Sequence, residues 1–223
     1  MRPRVWLFDL DNTLHDAGAW VFGQINQAMT DYVGEVAGLP PPQADQLRRH
    51  YWLRYGATLL GLVRHHGVSG AHFLHRTHQL PGLEARVRSH VHDVAALGRL
   101  RGRKFVLTNA PRAYALRVLG ALGLLRRFDG VIAIEDMRMF GHWRPKPDRR
   151  MLRHVVARLG APLHRCVLVE DTLDHQKAAR SLGMHTVWMQ RWLRPPAGRR
   201  LCRKPPYVCD RIHGLSELPR LSL

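Results

Sequence analysis

The strongest constraint on this chain's fold is a series of short apolar runs that each stop at polar or acidic residues. Val5-Trp6-Leu7-Phe8 runs into Asp9-Leu10-Asp11. Lys104 to Leu107 ends in Thr108-Asn109-Ala110-Pro111, and Gly130 to Ile134 ends in Glu135-Asp136. Cys166 to Val169 ends in Glu170-Asp171, and His185 to Met189 forms a fifth run. Such runs, lacking polar alternation, mark strands buried on both faces, as in parallel sheets. Helical patterns lie between them. Leu116, Leu119 and Leu122 form one; Met151, Leu152, Val155, Val156 and Leu159 a second; Ala178, Ala179 and Leu182 a third, closed by Gly183. This alternation predicts an α/β fold with a Rossmann-like parallel sheet covered on both faces. Ligands in such sheets bind beyond the carboxyl ends of the strands, where the polar residues named above all fall.

The stretch from Asp16 to Leu97 breaks the pattern. It has no strand signal. Ile25, Met29, Tyr32 and Val36 mark an amphipathic helix, and Leu39-Pro40-Pro41-Pro42 ends it. Further helical patterns cover Gln43 to Arg54, Thr58 to His66, Gly70 to His78 and Glu84 to Leu97. A stretch this long is no simple crossover. It is read as a small all-helical cap domain, residues 16–97, inserted after the first strand into a catalytic core of residues 1–15 and 98–223. Arg191 to Pro206, rich in Arg and Pro, is expected to be an irregular excursion.

The residues at the strand ends suit phosphoryl transfer. That reaction needs a nucleophile, a proton donor for the leaving oxygen, and positive charge against the phosphate oxygens. Asp9 and Asp11 stand two apart, so an extended strand would point both to one side. One can then attack while the other moves a proton. Two close carboxylates call for a cation, and oxygen ligands favour Mg²⁺, with Glu170 and Asp171 completing its site. Thr108 and Asn109 offer a hydroxyl and an amide, and Pro111 suits the first position of the following helix. Lys146, held in Arg144-Pro145-Lys146-Pro147, supplies a fixed positive charge.

In this order the segments Phe8-Asp9-Leu10-Asp11-Asn12-Thr13-Leu14, Thr108-Asn109, Lys146-Pro147 and Val169-Glu170-Asp171-Thr172 resemble the haloacid dehalogenase superfamily of phosphohydrolases. The resemblance runs from Val5 to about Met189. It implies that Asp9 forms an aspartyl-phosphate and that Asp11 protonates the leaving group and then activates water. It implies that Thr108 and Lys146 hold the phosphate, and that Asp9, the Asp11 carbonyl, Asp171 and Glu170 bind Mg²⁺. Dehalogenating members lack the second aspartate, so Asp11 points to phosphate chemistry. The chain departs from many relatives in carrying His175 and Gln176 where they have Asn or Asp.

Within the superfamily the chain looks most like the pyrimidine 5′-nucleotidase branch, on Asp11-Asn12-Thr13-Leu14-His15, Ile25-Asn26-Gln27-Ala28-Met29 and Tyr51-Trp52-Leu53-Arg54-Tyr55-Gly56. The alternatives are a general sugar-phosphate or small-metabolite phosphatase and a phosphomutase. In the favoured reading Tyr51, Trp52 or Tyr55 stacks on a base, Arg54 contacts phosphate or sugar, Asn109 binds substrate, and His15 lines the cleft between cap and core. The histidines at 65, 66, 72, 75 and 78 drift around a helix without a nearby carboxylate, and read as a solvated or partly packed face. Arg48-Arg49 reads as surface charge.

Composition sets the outer bounds. Lys and Arg number 35 against 17 Asp and Glu, a net charge of +18, which attracts anions without choosing among them. The rival of another class is therefore a basic nucleic-acid-binding or interaction protein on a retired phosphatase core. The intact Asp9, Asp11, Thr108, Lys146 and Asp171 set, and the lack of a nucleic-acid-binding motif, count against it. The expected partner is a small phosphorylated metabolite, a nucleotide in the favoured reading. With 3 cysteines, no disulfide framework is expected, and Cys166 reads as a buried thiol. No signal-peptide pattern or membrane-length apolar run is seen, so a cytoplasmic location is expected.

Overall fold

In the computed structural model, which describes residues 3–193 and 203–221, the five apolar runs become strands. They are β1 (Val5–Phe8), β2 (Arg103–Leu107) and β3 (Gly130–Ile132), then, after a small antiparallel hairpin of β4 (Arg138–Met139) and β5 (His142–Trp143), β6 (Cys166–Glu170) and β7 (His185–Met189). A sixth strand, β8 (Asp210–Ile212), was not expected. The order β3-β2-β1-β6-β7-β8 is parallel throughout. β1 is central, so Asp9 emerges in the middle of the sheet's carboxyl edge.

Side-chain alternation builds a core on each face. Trp6, Phe8, Val167 and Val169 pack with Tyr114, Val118 and Leu119 of α7 (Arg112–Ala121). Val5, Leu7 and Leu168 pack with Met151, Leu152 and Val155 of α8 (Arg149–Arg158) and Ala179 of α9 (Leu173–Arg180). Cys166 belongs to this second core, and burial pushes its thiol up to about 11. The third run stops at Ile132 rather than Ile134 because Asp136 turns the chain, its carboxylate accepting from Ala133 N–H at 2.8 Å.

The insert is helical, as expected: α1 (Val21–Ala37), α2 (Pro41–Tyr55), α3 (Thr58–His66) and α4 (Gly70–Thr77). Gly38 in the left-handed region ends α1, and Pro41 and Pro42 occupy the first turn of α2, where proline costs no hydrogen bond. These helices share their own apolar cluster around Tyr32, Val33, Tyr51, Leu62 and Phe73. Gly61 lies so close to the Tyr51 ring that a Cβ there would collide with it. The single helix expected from Glu84 to Leu97 is instead two, α5 (Leu83–Arg86) and α6 (Val91–Arg99). Buried Val87 is extended between them and joins the core cluster with Leu83, Leu97 and Leu100.

Part of the excursion expected over 191–206 lies outside the described residues, as does Cys202. No helix among the described residues is long and apolar enough to cross a membrane.

Candidate active site

The central strand delivers Asp9 and then ends. Asp9 N–H still bonds the Val169 carbonyl at 2.9 Å, one step beyond the paired Phe8 and Val169. The chain then turns, with Leu14 N–H on the Leu10 carbonyl at 2.9 Å. Asn12 takes φ 56°, a left-handed conformation that asparagine tolerates, and its side chain accepts from Gly18 N–H at 3.0 Å. A tight turn, not an extended strand, therefore sets the relation of Asp9 to Asp11.

Around Asp9 the buried groups are charged or hydroxyl-bearing: the buried Thr13 hydroxyl donates to Asp9 Oδ2 at 3.4 Å, and the closer contacts are ionic. Lys146 Nζ, on a side chain with 2% exposure, donates to Asp9 Oδ1 at 2.6 Å and to Glu170 Oε2 at 2.7 Å. Asn109 fixes the lysine's backbone: its amide NH₂ donates to the Lys146 carbonyl at 3.0 Å and its oxygen accepts from Lys146 N–H at 2.8 Å. Asp148 caps α8 just beyond, accepting from Arg150 and Met151 N–H. Thr108 is buried next to Asn109, and its hydroxyl accepts from Ala110 N–H at 3.0 Å.

Asp9, Glu170 and Asp171 present oxygens within 4.8 Å of one another. Burial, then the charge of Glu170, pushes Asp9 up to about 7, with Lys146 pulling the other way. Burial, then Glu170 and Asp9, pushes Asp171 up to about 9. Glu170 is also opposed by burial, but Lys146 and His175 hold it well below the usual carboxylate range. The same pairing outweighs burial at Lys146 and keeps it protonated. A cluster with more buried carboxylates than cations, all of them oxygen donors, fits a hard divalent ion. Where many relatives carry Asn or Asp, His175 Nδ1 lies 3.0 Å from Glu170 Oε2, and Gln176 donates to the Glu170 and Val187 carbonyls, both at 2.7 Å.

Asp11 has different company. His15 Nε2 is 3.0 Å from its Oδ1, and the Tyr114 hydroxyl donates to the same oxygen at 2.6 Å. Burial opposes ionisation of Asp11, but these bonds outweigh it and hold the carboxyl below its usual range. Burial and Asp11 together push the Tyr114 phenol far up, so it remains a donor. His78, from the end of α4, packs edge-on against Tyr114 at 5.7 Å, and burial draws it down to about 4. It thus takes the packed alternative of the two read for these histidines.

A cavity of about 550 Å³ opens above Asp11 between insert and core. Phe22, Asn26 and Met29 of α1, Arg48, Arg49 and Trp52 of α2, and Asn109 line it with others. Arg48 and Arg49, read from sequence as surface charge, each hold Asp45 at 2.7 Å at its edge. His15 is not at this cleft; it is fully buried behind Asp11. Tyr51 lies in the insert's own core, its hydroxyl on His66 Nε2 at 2.9 Å. Arg54 is exposed, its guanidinium 5.7 Å from the Tyr55 ring centroid, and Tyr55 bonds His65 Nε2 at 2.6 Å and borders a separate depression beside Lys146. Glu135 and Asp136 also leave the site: Glu135 accepts from Arg112 N–H at the start of α7, and Asp136 pairs with the Arg112 guanidinium. Sequence reasoning missed Tyr114 and His78. The only hint of Tyr114 was its place in the first turn of the helix after Thr108-Asn109, which faces the strand ends.

Solved structures share this architecture. A HAD phosphatase from Thermococcus onnurineus aligns with TM-score 0.64 at 20% identity, over 97% of this chain and 96% of its own. A 2-haloacid dehalogenase from Pseudomonas syringae pv. Tomato aligns with TM-score 0.58 at 22% identity, over 99% and 97%. An L-2-haloacid dehalogenase from Xanthobacter autotrophicus, with chloropropionic acid covalently bound, aligns with TM-score 0.57 at 17% identity, over 99% and 98%. These likenesses concern the fold. Residues 3–183, which hold every strand of the sheet but β7 and β8, match the haloacid dehalogenase-like hydrolase profile, and the chain belongs to that family.

Proposed function

We propose that the protein is a Mg²⁺-dependent phosphomonoester hydrolase in which Asp9 attacks phosphorus and Asp11 moves the proton. The observation that carries this reading is Asp11 itself, an anchored carboxylate at the floor of the cleft, two residues after Asp9. Displacing a halide requires no proton donor; expelling an alkoxide from a phosphate ester does. In the first half-reaction the Asp9 oxygen bonds phosphorus, the ester P–O bond breaks, and the Asp11 proton passes to the departing oxygen. An approaching phosphate anion favours protonation of Asp11, as any neighbouring like charge does. In the second, Asp11 takes a proton from water as the water oxygen bonds phosphorus and the Asp9–phosphorus bond breaks. Lys146 holds Asp9 in place and offsets the charge of the phosphoryl oxygens, with Thr108 as a further donor. Asp9, Asp171 and the Asp11 carbonyl would hold Mg²⁺. Glu170, already taken by Lys146 and by Thr172 N–H, would act at one remove. When bound, the ion lowers the repulsion between carboxylates and phosphate.

Residues 16–97 serve in this reading as a cap, and the cleft beneath them receives the leaving group. Its volume falls within the usual range for small-molecule sites, about 300–1,000 Å³. Trp52 offers an aromatic face, and Asn26, Arg48 and Arg49 offer polar edges. That combination suits a nucleoside, and we assign the substrate as a pyrimidine nucleoside 5′-monophosphate in the cytoplasm. The test is phosphate release from UMP, CMP, AMP, GMP and a panel of sugar phosphates, with Mg²⁺ and with EDTA. Faster release from UMP and CMP supports the assignment. Equal rates, or preference for a sugar phosphate, discards the nucleotide and leaves the phosphatase. No metal-dependent release from any ester by folded protein discards both.

A further inference from the structure

Asp11 is a symmetric carboxylate held asymmetrically. Both donors that reach it, His15 Nε2 at 3.0 Å and the Tyr114 hydroxyl at 2.6 Å, meet Oδ1. An ionised carboxylate only accepts, so His15 carries its proton on Nε2. Its buried Nδ1 has no hydrogen-bond partner among the described residues, so Nε2 makes the ring's one polar contact there. The two donors come from distant parts of the chain. His15 lies on the turn after β1, where its backbone forms a bridge with Asp11 itself. Tyr114 stands 103 residues away, on the helix that follows Thr108-Asn109. Both side chains are almost wholly buried, with Tyr114 at 1% exposure, so neither can swing aside without disturbing the core. Asp11 remains partly open and lines the cleft.

We propose that His15 and Tyr114 are positioning residues that pin Asp11 Oδ1 and leave Oδ2 to carry the proton in both half-reactions. The inference rests on the phosphohydrolase reading above. Terminal rotation of a carboxylate is broad and roughly two-fold, so an unanchored aspartate exchanges its two oxygens freely. Two donors on one oxygen remove that freedom. Oδ2 then gives its proton to the ester oxygen as the ester P–O bond breaks. It takes one from water as the new P–O bond forms and the Asp9–phosphorus bond breaks. Proton transfer demands reach within hydrogen-bond distance, so a misrotated Asp11 slows both events while leaving substrate binding in place.

The test compares wild type with Tyr114→Phe, His15→Ala and His15→Gln, whose side-chain amide offers an N–H in place of Nε2–H. Steady-state and pre-steady-state rates are measured with Mg²⁺ on aryl phosphates spanning good and poor leaving groups. Melting temperatures confirm folding. Tyr114→Phe and His15→Ala are expected to lower kcat about 10- to 100-fold with KM changed less than about threefold. The loss should be steepest for poor leaving groups. With the best leaving group a burst of phenolate should precede slow turnover, because dephosphorylation still needs Asp11. His15→Gln should recover most of the His15→Ala loss. A rise in KM with kcat intact, or an equal loss for every leaving group with no burst, overturns the proposal. So does failure of His15→Gln to improve on His15→Ala. If wild type itself shows no metal-dependent hydrolysis, the phosphohydrolase reading fails and takes this inference with it. If wild type is active and the variants match it, only the inference fails.

Discussion

The strand ends and the insert's side of the cleft are built on opposite plans. At the strand ends the central polar groups are held twice: Lys146 by two carboxylates and by Asn109 through its backbone, Asp11 by a histidine and a tyrosine. Across the cavity the insert presents Trp52 at 58% exposure and two arginines that share one aspartate. The first arrangement fixes atoms to within hydrogen-bond tolerance, and such fixing serves a bond-making step. The second offers area and a few polar edges, which in the proposed function would serve discrimination among leaving groups. Changes to the two should therefore fail differently, the first in kcat and folding together, the second in KM.

Lys146→Met should produce the largest combined loss. It leaves Asp9 and Glu170 buried without their cation. Breaking a buried pair costs about 3–5 kcal/mol, measurable by urea denaturation, and hydrolysis should fall about 1,000-fold or more. If the variant is as stable as wild type, the pairing is not what holds the strand ends together. Asn109→Ala comes next. It removes both bonds to the Lys146 backbone, and kcat should drop about 10- to 100-fold with little change in KM. A change confined to KM would make Asn109 a substrate contact instead.

These two positions also show what was legible in the sequence. Asp9, Asn109 and Asp171 could be read because each lies just past a continuous apolar run, and burial on both faces of a parallel strand writes such runs directly into the chain; Lys146 follows no such run and was legible only from the prolines that flank it. Strand β8 escaped because only Ile212 of its three residues is buried, and a sheet edge needs no more. The helix break after Arg86 escaped because Val87 is as apolar as a helical residue there would be; only its packing into the core reveals the extended backbone. Tyr114 and His78 were invisible for another reason. Their contacts join segments far apart in sequence, and nothing local distinguishes a buried tyrosine that holds a carboxylate from one that merely packs. For the cleft the sequence offered Tyr51, Trp52, Arg54 and Tyr55; helix geometry turns Trp52 toward the cavity with Arg48 and Arg49 and leaves the other three out of its lining.

Smaller effects are expected in the insert. Gly61→Val drives a side chain into the Tyr51 ring and should cost about 1–3 kcal/mol, read as a lower melting temperature. Trp52→Ala should raise KM for UMP about tenfold, the loss of one stacking contact of about 1.4 kcal/mol, while kcat falls less than about threefold. A larger effect on kcat than on KM would move Trp52 from selection into the catalytic geometry. Leu53→Lys, at a side chain 75% exposed and outside the cavity lining, should change stability by less than about 0.5 kcal/mol and leave kinetics alone.

Asp9 is the nucleophile in the proposed reaction, and one substitution tests that most directly. Asp9→Asn keeps the shape of the side chain and removes its nucleophilic charge. Phosphate release from a generic aryl phosphate should be measured with Mg²⁺ for wild type and Asp9→Asn at matched, folded concentrations. Wild-type release is expected to be metal-dependent and the variant to fall about 1,000-fold or more. A variant that retains a tenth of wild-type activity, or wild-type release indifferent to EDTA, would contradict the proposed reaction.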